Sequence, residues 1–64
     1  MTKPEAIRKA RRLARRLDTE VYVIQDEPPF GCQIISQSYL VNYPDGWIED
    51  CDILAVYDKM GRCA

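Results

Sequence analysis

Residues 3–17 carry the clearest periodic signal in the chain, and that signal constrains the fold most. Ala6, Ile7, Ala10, Leu13, Ala14 and Leu17 follow i, i+3, i+4, i+7 spacing, which makes an apolar stripe about 120° wide on a helix. Thr2 and Glu5 form a T-x-x-E capping box, and Pro4 falls in the first turn, where its missing N–H costs little. Asp18-Thr19 should end the helix, because neither favours its continuation and a β-branched run follows. A lone helix of this kind must bury its stripe on something, and the remaining chain reads as sheet.

Glu20-Val21-Tyr22-Val23-Ile24-Gln25 is β-branched and aromatic, which predicts a strand over 20–25. Asp26 to Gly31 is a turn cluster containing two prolines. A second extended run covers 32–43, bent or bulged near Ser36-Gln37-Ser38. Pro44-Asp45-Gly46 signals a hairpin turn with Gly in the left-handed position, and a return strand, irregular at Glu49-Asp50-Cys51-Asp52, is expected over 47–57 before a polar tail, 58–64. The expected architecture is one α+β domain over 1–64: an N-terminal amphipathic helix packed on a three-stranded antiparallel β-meander, α-β-β-β.

If Tyr43 opposes Trp47, register sets Ile34 opposite Val56 and Ile35 opposite Ala55. Ile34, Leu54 and Val56 then meet Ile7, Leu13 and Leu17 on one face. The other face would carry Ile35, Tyr39, Val41, Tyr43, Trp47, Ile53 and Tyr57, too apolar and aromatic for an ordinary wetted surface. Either curvature buries part of it or it is a contact surface.

Charge is segregated along the chain. The first seventeen residues hold seven basic and one acidic side chain, +6, and residues 18–64 hold two basic and nine acidic, −7, summing to −1. Arg8, Lys9, Arg11, Arg12, Arg15 and Arg16 crowd the polar face of the helix. Their i, i+4 pairs each oppose the helix by about 0.2–0.5 kcal/mol. Such a row suits phosphate groups, or else it is a solvated face neutralised by acids elsewhere in the chain. Its likeness to a mitochondrial presequence would leave too little chain after cleavage. Asp26, Glu27, Asp45, Glu49, Asp50 and Asp52 gather around the two turns and the start of the last strand. An acidic rim beside Tyr43 and Trp47 suits a basic protein groove. It could equally discourage edge-to-edge sheet pairing, and the opposite poles could join copies head to tail.

Several chemistries are excluded. There is no histidine, so no Ser-His-Asp or Cys-His apparatus exists. Gly31, Gly46 and Gly61 build no phosphate loop. No apolar run approaches the ~20 residues a bilayer requires. Cys32, Cys51 and Cys63 are odd in number, lack C-x-x-C spacing and read as reduced cytoplasmic thiols. Glu49-Asp50-x-Asp52 lacks the calcium-loop pattern, so no metal and no cofactor is expected. Nothing places two carboxylates across a cleft for catalysis. A 64-residue chain buries only about 60% of its unfolded surface, which leaves room for a dimer or partner to add stability.

In its size, its Arg/Ala helix, the Val21-Tyr22-Val23-Ile24 strand that follows and its polarised charge, the chain resembles the small single-domain proteins encoded by phages and mobile elements. Anti-CRISPR inhibitors are the best-known class of these. The resemblance implies stoichiometric, non-enzymatic binding to a bacterial nucleoprotein effector in the host cytoplasm. The first expectation is therefore an inhibitor occupying the basic groove of a host effector protein through Asp26, Glu27, Tyr43, Asp45, Trp47, Glu49, Asp50 and Asp52. The second is direct DNA or RNA binding through Arg8, Lys9, Arg11, Arg12, Arg15 and Arg16. A third is an assembly subunit, including a homodimer.

Overall fold

A computed structural model describes all residues, 1–64. One helix, α1 (Lys3–Leu17), precedes three strands, β1 (Val21–Gln25), β2 (Cys32–Ser36) and β3 (Asp52–Tyr57). The α+β, α-β-β-β layout expected from the sequence is the one formed, with an antiparallel three-stranded sheet. The strand order corrects the meander. It is β2-β1-β3, so β1 is central and β2 never meets β3. Val21 and Val23 are fully buried on the helix side, while Ile24 is 5% exposed on the other. A strand buried on both faces belongs in the middle of a sheet.

The expected long strands are also corrected. β2 stops at Ser36, and Gln37–Asn42 and Trp47–Asp50 are 3₁₀ helices rather than strand. Pro44-Asp45-Gly46 does turn, with Trp47 N–H donating to the Pro44 carbonyl at 3.1 Å and Gly46 at φ 80°. Its flanks coil, however, because both edges of β1 are already taken by β2 and β3. Residues 37–51 therefore carry the chain from one edge of the sheet to the other across the face opposite α1.

Register follows from β1. Val23 lies between Ile34 and Ala55, and Tyr22 between Ile35 and Val56. The ladder shifts between Val23 and Ile24, leaving Leu54 as the extra residue, and this bulge turns Leu54 and Ala55 toward the helix-side core. Ile34 and Leu54 pack on that core as expected. Val56 instead pairs with Tyr22 on the other face, and Tyr57, expected there, is buried in the helix-side core.

The helix docks through its smallest residues. Ala6, Ala10 and Ala14 are fully buried against Val21 and Val23, with Ile7 and Leu13 flanking them, whereas Leu17 is 48% exposed. The helix ends at Asp18, in the left-handed conformation at φ 53°. Thr2 stands at the N-cap position but makes no side-chain cap, which corrects the capping box. The backbone sets that end instead: Cys32 N–H donates to the Met1 carbonyl at 3.0 Å, and Met1 N donates to the Phe30 carbonyl at 3.2 Å.

Residues 58–64 fold back rather than trailing free. Cys63 bridges Tyr57, and Asp58 Oδ1 accepts the N–H groups of Met60 and Arg62 at 2.9 and 3.0 Å. Gly61, at φ 80°, presses on α1, where an added Cβ would meet Arg15 Cγ at 3.0 Å and the Arg11 carbonyl at 3.1 Å.

Candidate functional site: an acidic, aromatic groove

The face of the sheet turned away from α1 is only partly covered. Ile24 and Ile35 are buried there, yet neither 3₁₀ helix contributes a buried residue. An open groove of about 690 Å³ remains between the sheet, the 26–28 turn and the coiled segment.

Aromatic rings form one wall. Tyr39, Tyr43 and Trp47 recur every fourth residue, and coiling brings them into a ladder. Tyr43 and Trp47 stack with centroids 4.3 Å apart and an interplanar angle of 16°, and Tyr39 meets Tyr43 edge-on at 5.7 Å. In a flat strand, residues four apart stand roughly 13 Å from one another. The ladder is thus a product of coiling: Tyr39 lies in the first 3₁₀ helix, Tyr43 caps it, and the turn at 44–46 brings Trp47 back onto Tyr43. Tyr43 and Trp47 are half-buried, while Tyr39 is 54% exposed.

Carboxylates line the groove alongside the rings. Asp26 and Glu27 come from the turn after β1, Asp50 ends the second 3₁₀ helix, and Asp52 opens β3 opposite Gln25. All four are exposed. Asp26 is positioned by its own turn, with its N–H donating to the Gly31 carbonyl at 2.8 Å and its Oδ1 accepting the Glu27 N–H at 2.8 Å. Burial pushes the Cys51 thiol up from its ordinary pKa, and the carboxylates of Asp50, Asp26 and Asp52 push it further. Cys51 donates weakly to the Trp47 carbonyl at 3.5 Å. The thiol is thereby kept protonated, the opposite of what a nucleophile requires.

Six of the eight residues expected from the sequence to bind a partner therefore line one groove: Asp26, Glu27, Tyr43, Trp47, Asp50 and Asp52. Asp45 and Glu49 are exposed but do not line it. Burial raises the Tyr22 hydroxyl pKa first, and the charge of Glu20 and its hydrogen bond raise it further, with a smaller contribution from Glu49. Tyr39, Gln25, Gln33 and Cys51 join the lining without having been named as site residues. For Tyr39 a signal was present in the four-residue spacing to Tyr43 and Trp47. For Gln25 and Gln33 only the strand pairing could reveal it.

The six basic residues of α1 are all exposed, on the other side of the molecule. The fold divides their row. Arg11 Nε donates to the Gly61 carbonyl at 3.2 Å and Arg15 packs on Gly61, whereas Lys9, Arg12 and Arg16 border a shallow hollow with Leu13 and Ile34. No side-chain hydrogen bond links any of the six to a carboxylate. The two charged poles lie apart and unneutralised by one another.

No set of three or more His, Cys, Asp or Glu side chains is placed to hold a metal ion. No helix is long and apolar enough to cross a membrane. No protein-family model, curated protein or solved structure matches the chain.

Proposed function

We propose that this chain is a non-enzymatic binding protein that occupies a basic, nucleic-acid-binding surface on a partner protein. In the reading the sequence resemblance suggests, it is a phage-type inhibitor and the partner is a bacterial effector of the CRISPR-Cas kind. The observation that supports it best is the convergence of Asp26, Glu27, Asp50 and Asp52 with the Tyr43–Trp47 stack on one open groove. Aromatic anchors at such interfaces are worth upwards of about 2 kcal/mol each, and carboxylates around them set on-rate and register.

The test is capture from a nuclease-treated bacterial lysate with immobilised protein. The captured proteins are expected to be nucleic-acid binders, displaced by added duplex DNA or RNA. Capture should be lost on changing Asp26, Asp50 and Asp52 together to Lys, in a variant whose circular dichroism is unchanged. Capture that survives that triple reversal contradicts the proposal.

A second reading has its own support in the exposed cations Arg8, Lys9, Arg12 and Arg16, none of which donates a hydrogen bond to a carboxylate. Four phosphate contacts would give a salt slope of roughly −3.6 on duplex DNA. A mobility shift at about 50 mM salt that is gone by about 200 mM supports this reading, and no shift at the lower salt removes it.

A further inference from the structure

We propose that the groove is an arginine-recognition site. The guanidinium of an exposed, arginine-bearing segment of the partner lies against the Tyr43–Trp47 rings and pairs with the neighbouring carboxylates of Asp50 and Asp52. This rests on the groove being the partner-binding face, and it names the side chain that face selects.

Three features of the groove favour that occupant. First, none of the residues lining it is Lys or Arg, so its carboxylates have no internal counter-ion to displace. Second, the aromatic wall is a stack, and a planar, weakly hydrated guanidinium can lie on aromatic rings and form two parallel hydrogen bonds to a carboxylate. A lysine ammonium is a compact, strongly hydrated point charge that gains less from either surface. Third, the acids are held where rings and charge act together. Asp50 ends the helical turn that Trp47 opens, and Asp52 is fixed by its pairing with Gln25 in β1. Asp26, Asp50 and Asp52 line the same groove as Cys51, where the pairing of Gln25 with Asp52 brings the end of β1 to the start of β3. Gln33 adds a side-chain amide that can satisfy a peptide backbone, whereas the Gln25 amide already donates to the Asp26 carbonyl at 2.9 Å.

Trp47 is the only tryptophan and reports from the groove wall itself. The intact protein is titrated with an acetylated tetra-arginine peptide and, separately, with a tetra-lysine peptide, following Trp47 fluorescence. The expected result is a saturable change with the arginine peptide, about ten-fold tighter than with the lysine peptide. Tyr43→Ala and the pair Asp50→Asn/Asp52→Asn should each weaken arginine binding about ten-fold, with the far-ultraviolet circular dichroism of the parent retained.

Equal affinity for the two peptides overturns the proposal, since charge alone would then explain binding. Absence of any saturable change also overturns it. So does a Trp47 change that grows with protein concentration alone and tracks a doubling of mass, because the occupant would then be the arginine row of a second copy. If the peptide titration fails while salt-labile, reversal-sensitive capture of nucleic-acid-binding proteins persists, arginine selection falls and the binding function stands. If both fail, both fall.

Discussion

The two faces of the sheet are closed by opposite means. On one, three alanines of α1 sit at 0% exposure on Val21 and Val23, so the helix backbone approaches the strands closely and leaves no room. On the other, the coiled 37–51 segment lays a ladder of large rings across Ile24 and Ile35 without burying any residue of its own 3₁₀ helices. Small side chains seal the first face, and large ones prop the second open. A chain this short has one face to spend on stability. The other is left to carry half-buried rings, the exposed Tyr39 and exposed acids.

Substitutions that reverse this contrast should have the largest effects. Ala10→Leu forces extra volume between α1 and β1 and should cost about 1–3 kcal/mol in urea unfolding. Tyr39→Ala, at a half-exposed position on the groove wall, should change stability by no more than about 0.5 kcal/mol. Equal costs for the two would mean that the faces are packed alike.

Gly61→Ala sharpens the comparison from the edge of the sealed face. The position is at φ 80° and its Cβ would meet both Arg15 and the Arg11 carbonyl. A loss of about 1–2 kcal/mol is expected, with the C-terminal turn lifting from α1. Thermal unfolding of the variant checks it, and an unchanged midpoint would show that the turn does not brace the helix.

On the open face, Tyr43→Ala removes the partner of Trp47 and should cost about 0.5–1.5 kcal/mol of stability. Its effect on partner capture should be larger than that, because an anchor counts for more at an interface than in a half-wetted stack. A binding loss no greater than the stability loss would make the ladder a structural prop only.

The smallest effect concerns Cys51. A thiol whose folded pKa is raised favours the fold below the pKa of the unfolded thiol. That contribution disappears as pH climbs through the raised folded value. Alkylation at about pH 8 should therefore be slower at Cys51 than at exposed Cys63, and Asp50→Asn/Asp52→Asn should speed it. Matching rates followed by mass spectrometry would place those carboxylates too far away to matter.

The helix was legible from 3–17 because its period, its proline and the break at Asp18-Thr19 all agree. The turn at Pro44-Asp45-Gly46 was legible too, since Gly46 takes the left-handed conformation the motif asks for. What that turn joins was not. Residues 37–43 and 47–51 have apolar and aromatic character that suits a strand, and only competition for the edges of β1 forces them to coil. The Val21-Tyr22-Val23-Ile24 run did hold the clue, because a strand without alternation is buried on both faces and takes the centre. Most of the candidate site survived this error. Asp26, Glu27, Asp50 and Asp52 flank the ends of β1 and β3, which the pairing brings together, while Asp45 and Glu49 are exposed and do not line the groove. The bulge at Leu54 left no mark in the sequence, and it decided the faces of Val56 and Tyr57.

Two-dimensional amide spectra of the labelled protein, recorded during titration with the tetra-arginine peptide, probe the division between the faces directly. Shifts should be confined to the Trp47 indole and to amides around 24–28, 33–35 and 39–52, with those of α1 unmoved. Movement centred on α1, or no movement at all, would contradict the assignment of the open face to binding and the sealed face to stability.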